Sequence, residues 1–226
     1  MCSAARRATT RESDRTARAA IRDAALALFA ERGHDAVTVR EIAAAAGVSP
    51  ALVLHHYGSK AGLREAVDEH AARTFDAMLE QLGGEGMGEE IVGGGAASLA
   101  EAFAAGFPAD SPLPAYLRRL LLTGDPVGTA LFQRWHALTV AVLDQFEAAG
   151  VARPSADRAV RAAFLLANDL AVVLLAPQLR ATVGEDPLTP HGMARWAAEV
   201  ADVYTHGAFD AAAASTAVAS TTAPRT

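Results

Sequence analysis

The chain is predicted to be all-α, with a three-helix helix-turn-helix head at its N-terminus and a helical bundle behind it. Three observations predict this. Residues 25–63 lay out helix, short helix, tight turn, short helix and a new helix start. Beyond them, apolar residues recur at helical spacing between clear Gly and Pro breakers. The composition is 51% hydrophobic with only 6% aromatics and much alanine, which favours helix over sheet.

The elements follow in order. The first helix carries an apolar stripe at Ile21, Ala25, Leu28 and Phe29 and ends before Gly33, which takes the left-handed position past a helix C-terminus. Thr38 caps the second helix, and Glu41 three residues on completes a capping box. Val39, Ile42, Ala43 and Ala46 form one face of it. Gly47 makes the turn and needs a positive φ or a close neighbour; Val48 plugs the corner. Ser49 caps the third helix, and Pro50 sits in its first turn, where a missing N–H costs nothing. Barely two turns long, that helix is held by its scaffold rather than by itself. Gly58 ends it and Ser59 caps a fourth, running from about Lys60 to Leu82 with Leu63, Val67, Phe75 and Met78 on its apolar side.

Residues 83–95 are glycine-rich and are expected to be loose, as are residues 1–12. Short helices are expected over Leu99–Phe107 and Tyr116–Leu122, on either side of the proline-rich stretch 108–114. Leu131, Trp135, Leu138, Val142 and Phe146 stripe a long helix that closes at Gly150. Ser155 caps the next, which runs to about Leu179 and is apolar nearly all round, so it must be covered on most sides. Thr189-Pro190 opens the last, with Met193, Trp196, Val200 and Tyr204 on one side. Residues 211–226 have no periodic pattern and read as a disordered tail. The domain division is therefore a flexible 1–12, a head over 13–60, a helical body over 61–210 and the tail.

Charge separates the two parts. The chain carries a net −6, but residues 1–60 hold nine Lys/Arg against six Asp/Glu, while residues 61–226 hold eleven against twenty. A basic head on an acidic body fits a nucleic-acid reader joined to a part with another task. The one cysteine, Cys2, excludes an internal disulfide. No apolar run precedes it and the longest apolar stretch, near residues 170–176, is far short of a membrane span, so a cytoplasmic protein without membrane contact is expected.

The head residues resemble the TetR-type (TetR/AcrR) family of bacterial transcriptional regulators. Phe29, Gly33, Thr38, Val39, Ile42, Ala43, Ala46, Gly47, Val48, Ser49, His56, Ser59, Lys60 and Leu63 fall where that family's pattern expects them, over roughly residues 16–67. The chain departs from the pattern at Val53-Leu54, where the family usually has a Leu-Tyr pair. Leu54 lacks the hydroxyl with which that tyrosine often bonds a phosphate, and the adjacent His55 is the substitute donor. The resemblance implies a homodimer whose last two long helices form a four-helix interface, and repression of transcription relieved by a small molecule.

The sites expected on that reading are these. Ser49, Pro50, Ala51 and Leu52 point toward base edges; being small and mostly apolar, they favour thymine methyl contacts and DNA shape over bidentate hydrogen bonds. Thr38, Arg40, His55, His56, Tyr57 and Lys60 are placed to hold phosphates, which set register and affinity. Two short recognition helices fixed by a two-fold dimer would read a pseudo-palindromic double-stranded DNA operator. Arg6, Arg7 and Arg11 are either a solvated terminus or an arm reaching DNA. Phe103, Tyr116, Gln133, His136, Asn168 and Asp169 are the polar or aromatic residues on otherwise apolar helices, and hence the candidates for contact with a mostly apolar effector. A structural reading of Asn168 and Asp169, bonded to the backbone or to a second subunit, stands beside that one. His55, His56 and His70 lack the ligand spacing of a zinc site, and no cofactor is expected. An all-helical enzyme or carrier with a vestigial head is the rival class, but no nucleophile elbow, phosphate loop or carboxylate–histidine cluster supports it. A constitutive architectural DNA binder would not need so large an apolar body.

Overall fold

The computed structural model describes residues 2–82 and 110–207, and among them the only regular elements are helices. In chain order these are α1 (Cys2–Arg32), α2 (Val39–Ala45), α3 (Pro50–Tyr57), α4 (Lys60–Leu82), α5 (Leu113–Leu122), α6 (Pro126–Ala148), α7 (Arg158–Leu174), α8 (Ala176–Val183) and α9 (Pro190–His206). The glycine-rich 83–95, the helix expected over 99–107 with Phe103, and the tail 211–226 lie outside the described residues. So do the side chains of Arg6, Arg7 and Arg11.

The head follows the local rules of its sequence. Thr38 Oγ1 accepts from the Glu41 N–H at 3.3 Å while the Thr38 N–H donates to Glu41 Oε2 at 2.7 Å, so the capping box is closed in both directions. Ser49 Oγ accepts from the Leu52 N–H at 3.2 Å at the start of α3. Gly47 turns the corner with φ 67°, and no atom crowds the place of its missing side chain. Phe29, Val37, Ile42 and Val53 are fully buried between the three helices.

Three boundaries differ from the sequence reading. Helix α1 begins at Cys2, where residues 1–12 were expected to be loose. Helix α5 begins at Leu113 rather than Tyr116, because Pro114 lies in its first turn and is compatible with a helix start. The third concerns the helix expected over 155–179. It is capped by Asp157, whose Oδ1 accepts from the Val160 N–H at 3.0 Å, and it breaks at Leu175. Its continuation α8 is bent away by 73°. Pro177 explains the break: it has no N–H for the Val173 carbonyl, and its ring clashes with that carbonyl.

Head and body share one core. The buried set runs from Ile21 and Phe29 through Leu63 and Val67 on α4 to Leu117, Trp135 and Leu166. Phe75 of α4 meets Trp135 of α6 edge to face, ring centroids 5.8 Å apart. Burying each such ring contributes about 2–3 kcal/mol. Helix α5 lies against α1 as well as against α6 and α7, so the body reaches into the head beside α4. No single described helix is long and apolar enough to cross a membrane; only the bent pair α7–α8 together has that length and composition.

Candidate nucleic-acid interface

The recognition helix presents its first turn to solvent. Ser49, Pro50 and Ala51 are exposed and Leu52 is half-buried, while Val53 anchors the helix in the core. Leu54 and His55 on the outer side are also exposed, Leu54 at 44%. Arg40 on α2 is exposed beside them, and Lys60 is partly exposed at the start of α4, where the helix N-terminus adds its own attraction for an anion. Ser59 caps that terminus by accepting from the Gly62 N–H at 3.0 Å.

Two of the predicted phosphate donors are hydrogen-bonded within the head, and a third is buried in it. Thr38 gives its hydroxyl proton to Glu41 Oε2 at 2.7 Å. The His56 side chain is only 5% exposed and turns back toward α1, 3.7 Å from Asp14 Oδ1. Tyr57 donates its hydroxyl to the Arg18 carbonyl at 2.7 Å, and the Arg18 guanidinium sits 5.2 Å above its ring; burial raises the phenol above its ordinary pKa. His56 and Tyr57 therefore brace α3 against α1, while His55 faces out. The alternation follows from the angle at which α3 packs, which the sequence triplet does not reveal.

Several contributors were missed by sequence reasoning. Arg32 pairs with Glu41 at 2.6 Å; together with the Thr38 hydrogen bonds this holds the Glu41 carboxyl down at about 2. Gly62 is required where α4 starts, since a Cβ there would lie 2.4 Å from the Tyr57 carbonyl oxygen. A glycine inside the first turns of a helix was the available signal. Between head and body, Arg64 of α4 pairs with Asp125 at the cap of α6 and lies 3.5 Å from Asp68, and Tyr116 donates its hydroxyl to buried Asp68. Burial raises both Asp68 and Tyr116.

The residues expected to line an effector pocket do not converge. Tyr116 is buried against Asp68. Gln133 is exposed on α6. His136 Nε2 lies 2.9 Å from the Ala159 carbonyl and ties α6 to α7. Asn168 Nδ2 donates to the Tyr204 hydroxyl at 3.0 Å and ties α7 to α9; Asp169 is partly buried beside it. Among the described members of the set, Asn168 alone lines the groove of about 370 Å³ between α7, α8 and α9, with Phe164, Val183, Trp196, Val203 and Tyr204. On the same side Val160 and Phe164 are 63% and 64% exposed. Among the described residues, no three His, Cys, Asp or Glu side chains are grouped to hold a metal ion.

Comparison with known proteins decides the family. Residues 21–67 match the model of bacterial regulatory proteins of the tetR family, and residues 109–210 match a tetracyclin repressor-like C-terminal domain. The chain is 38% identical over 162 residues to the HTH-type transcriptional regulatory protein RaaS of Mycobacterium tuberculosis, covering 69% of this chain and 68% of that one. The chain belongs to the TetR family of transcriptional regulators. It is also 33% identical over 175 residues to the HTH-type transcriptional repressor Rv3405c of the same organism, covering 76% and 79% of the two chains. The crystal structure of a gamma-butyrolactone receptor, an ArpA-like protein, superposes with a TM-score of 0.55 at 25% identity, over 81% of this chain and 93% of that one. As a TetR-family member the protein is a DNA-binding regulator and not an enzyme, and α2, Gly47 and α3 are its helix-turn-helix.

Proposed function

We propose that the protein is a homodimeric repressor that leaves a pseudo-palindromic operator when a small molecule binds its body. The observation that carries the reading is the pairing of two exposed surfaces on a head and body that share one core. The first turn of α3, with Ser49, Pro50, Ala51 and Leu52, is open for a major groove. Val160, Phe164, Val203 and Tyr204 on α7 and α9 are open for a second copy. One two-turn recognition helix offers too few contacts for high affinity; two, held by a two-fold axis, read half-sites about 10 bp or a multiple apart. Arg40, His55 and Lys60 are the phosphate contacts, with Thr38, His56 and Tyr57 holding the frame on which they stand.

Repression rests on the relative named as a repressor, and ligand control on the similar chain named as a gamma-butyrolactone receptor. The groove between α7, α8 and α9 lies on the proposed dimer face, so the partner copy covers it. The effector is a mostly apolar small molecule that favours one spacing of the two heads over the other. Selection of bound duplexes from a random pool tests the reading: it predicts an inverted repeat, a 2:1 complex, and release by a compound that raises the melting temperature. Enrichment of single, unrepeated sites would sink it.

A further inference from the structure

Helix α5 touches the head at a point that the operator-reading surface does not include. Arg119 of α5 donates from Nη2 to the Glu31 carbonyl of α1 at 3.1 Å. Glu31 lies in the last turn of α1, whose carbonyls lack helical partners, and the negative end of the helix dipole favours a cation there. The guanidinium fits because residue 33 has no side chain: a Cβ on Gly33 would lie 2.9 Å from Arg119 Nη1. From this point contacts lead straight to the helix-turn-helix. Arg32 donates to the Ala36 carbonyl at 3.2 Å and to Glu41 at 2.6 Å, and Glu41 closes the capping box with Thr38 at the start of α2.

We propose that Arg119 is a positioning residue for operator reading, a second attachment that fixes the angle of the head on the body. The covalent attachment is α4, which is held to the body by Arg64–Asp125 and Asp68–Tyr116. Helix α5 also packs on α1 through the shared core, and the Arg119 hydrogen bond at the end of α1 adds a directional contact that apolar packing does not supply. The residue touches no surface proposed to meet DNA, so it acts on the distance between two recognition helices and leaves phosphate contacts alone. The proposal rests on the paired-head reading above.

The experiment uses the full chain with a duplex selected by the wild type, the same duplex with one base pair inserted between half-sites, and a random-sequence duplex. Arg119→Met keeps an unbranched apolar stem and removes the donor; Arg119→Lys keeps the charge. Arg119→Met is expected to lose about tenfold on the selected duplex, the worth of one hydrogen bond from a charged group. Its affinity for the random duplex and its salt slope stay at wild-type values, and its penalty for the inserted base pair shrinks. Arg119→Lys recovers most of the loss. The proposal is overturned if Arg119→Met binds the selected duplex as the wild type does. It is equally overturned if that variant loses affinity for both duplexes alike with the insertion penalty intact, the pattern of a merely destabilised head. A wild type indifferent to the insertion would overturn the paired-head reading, and this proposal with it; a penalty in the wild type that Arg119→Met leaves unchanged overturns this proposal alone.

Discussion

Replacing Phe164 by glutamate separates folding of the protomer from its assembly. The ring is 64% exposed on α7, so the protomer loses little by the change. Covered by a second copy, about 100 Å² of each ring would leave water, worth about 2.5 kcal/mol per subunit and about 5 per dimer. A carboxylate in its place removes that gain and adds the cost of a charge buried without a partner, several kcal/mol more. Even a loss of about 2.5 kcal/mol weakens the dimer roughly 70-fold. Sedimentation of Phe164→Glu across a concentration series should therefore show a monomer where the wild type is dimeric. Its circular dichroism should be that of the wild type. A variant that remains dimeric at wild-type concentrations would refute the placement of the interface on α7 and α9, whatever its stability.

Three further outcomes are expected. Lys60→Ala should weaken binding to all duplexes about equally and lower the slope of log K against log salt by about one per subunit, read by salt titration. Gly47→Val should destabilise the head, because φ 67° is a left-handed conformation costing a non-glycine residue about 1–3 kcal/mol and a β-branched one more; Gly47→Asn should be much milder, and the two are compared by gel shift and thermal melting. The Glu41 carboxyl is depressed from 4.5 to about 2, so the stability it contributes is present above about pH 4.5 and disappears as pH falls toward about 2; Glu41→Gln should flatten the pH dependence of melting in that window.

The order of helices in the head, its caps and its turn were legible in the sequence, because each signal acts within three or four residues. Thr38 with Glu41, Ser49 with Pro50, and Gly47 each satisfy or bend backbone that lies beside them in the chain. The break at Leu175 was legible too, in Pro177, but the near-continuous apolar run around it hid the signal. Which of His55, His56 and Tyr57 faces outward was not legible. That depends on how α3 rolls against α1, and the roll is set by Arg18, Asp14 and the shared core rather than by the triplet itself.

By itself the sequence determined an all-α chain with a DNA-reading head and an apolar body, since periodicity, capping and charge are properties of neighbouring residues. Only the tertiary structure decided how the two parts are joined. Arg119 meets Glu31 across 88 positions, Arg64 meets Asp125 across 61, and Asn168 meets Tyr204 across 36. No local pattern announces such pairs, because a guanidinium or an amide on a helix surface is satisfied equally well by water until packing removes the water and supplies the partner.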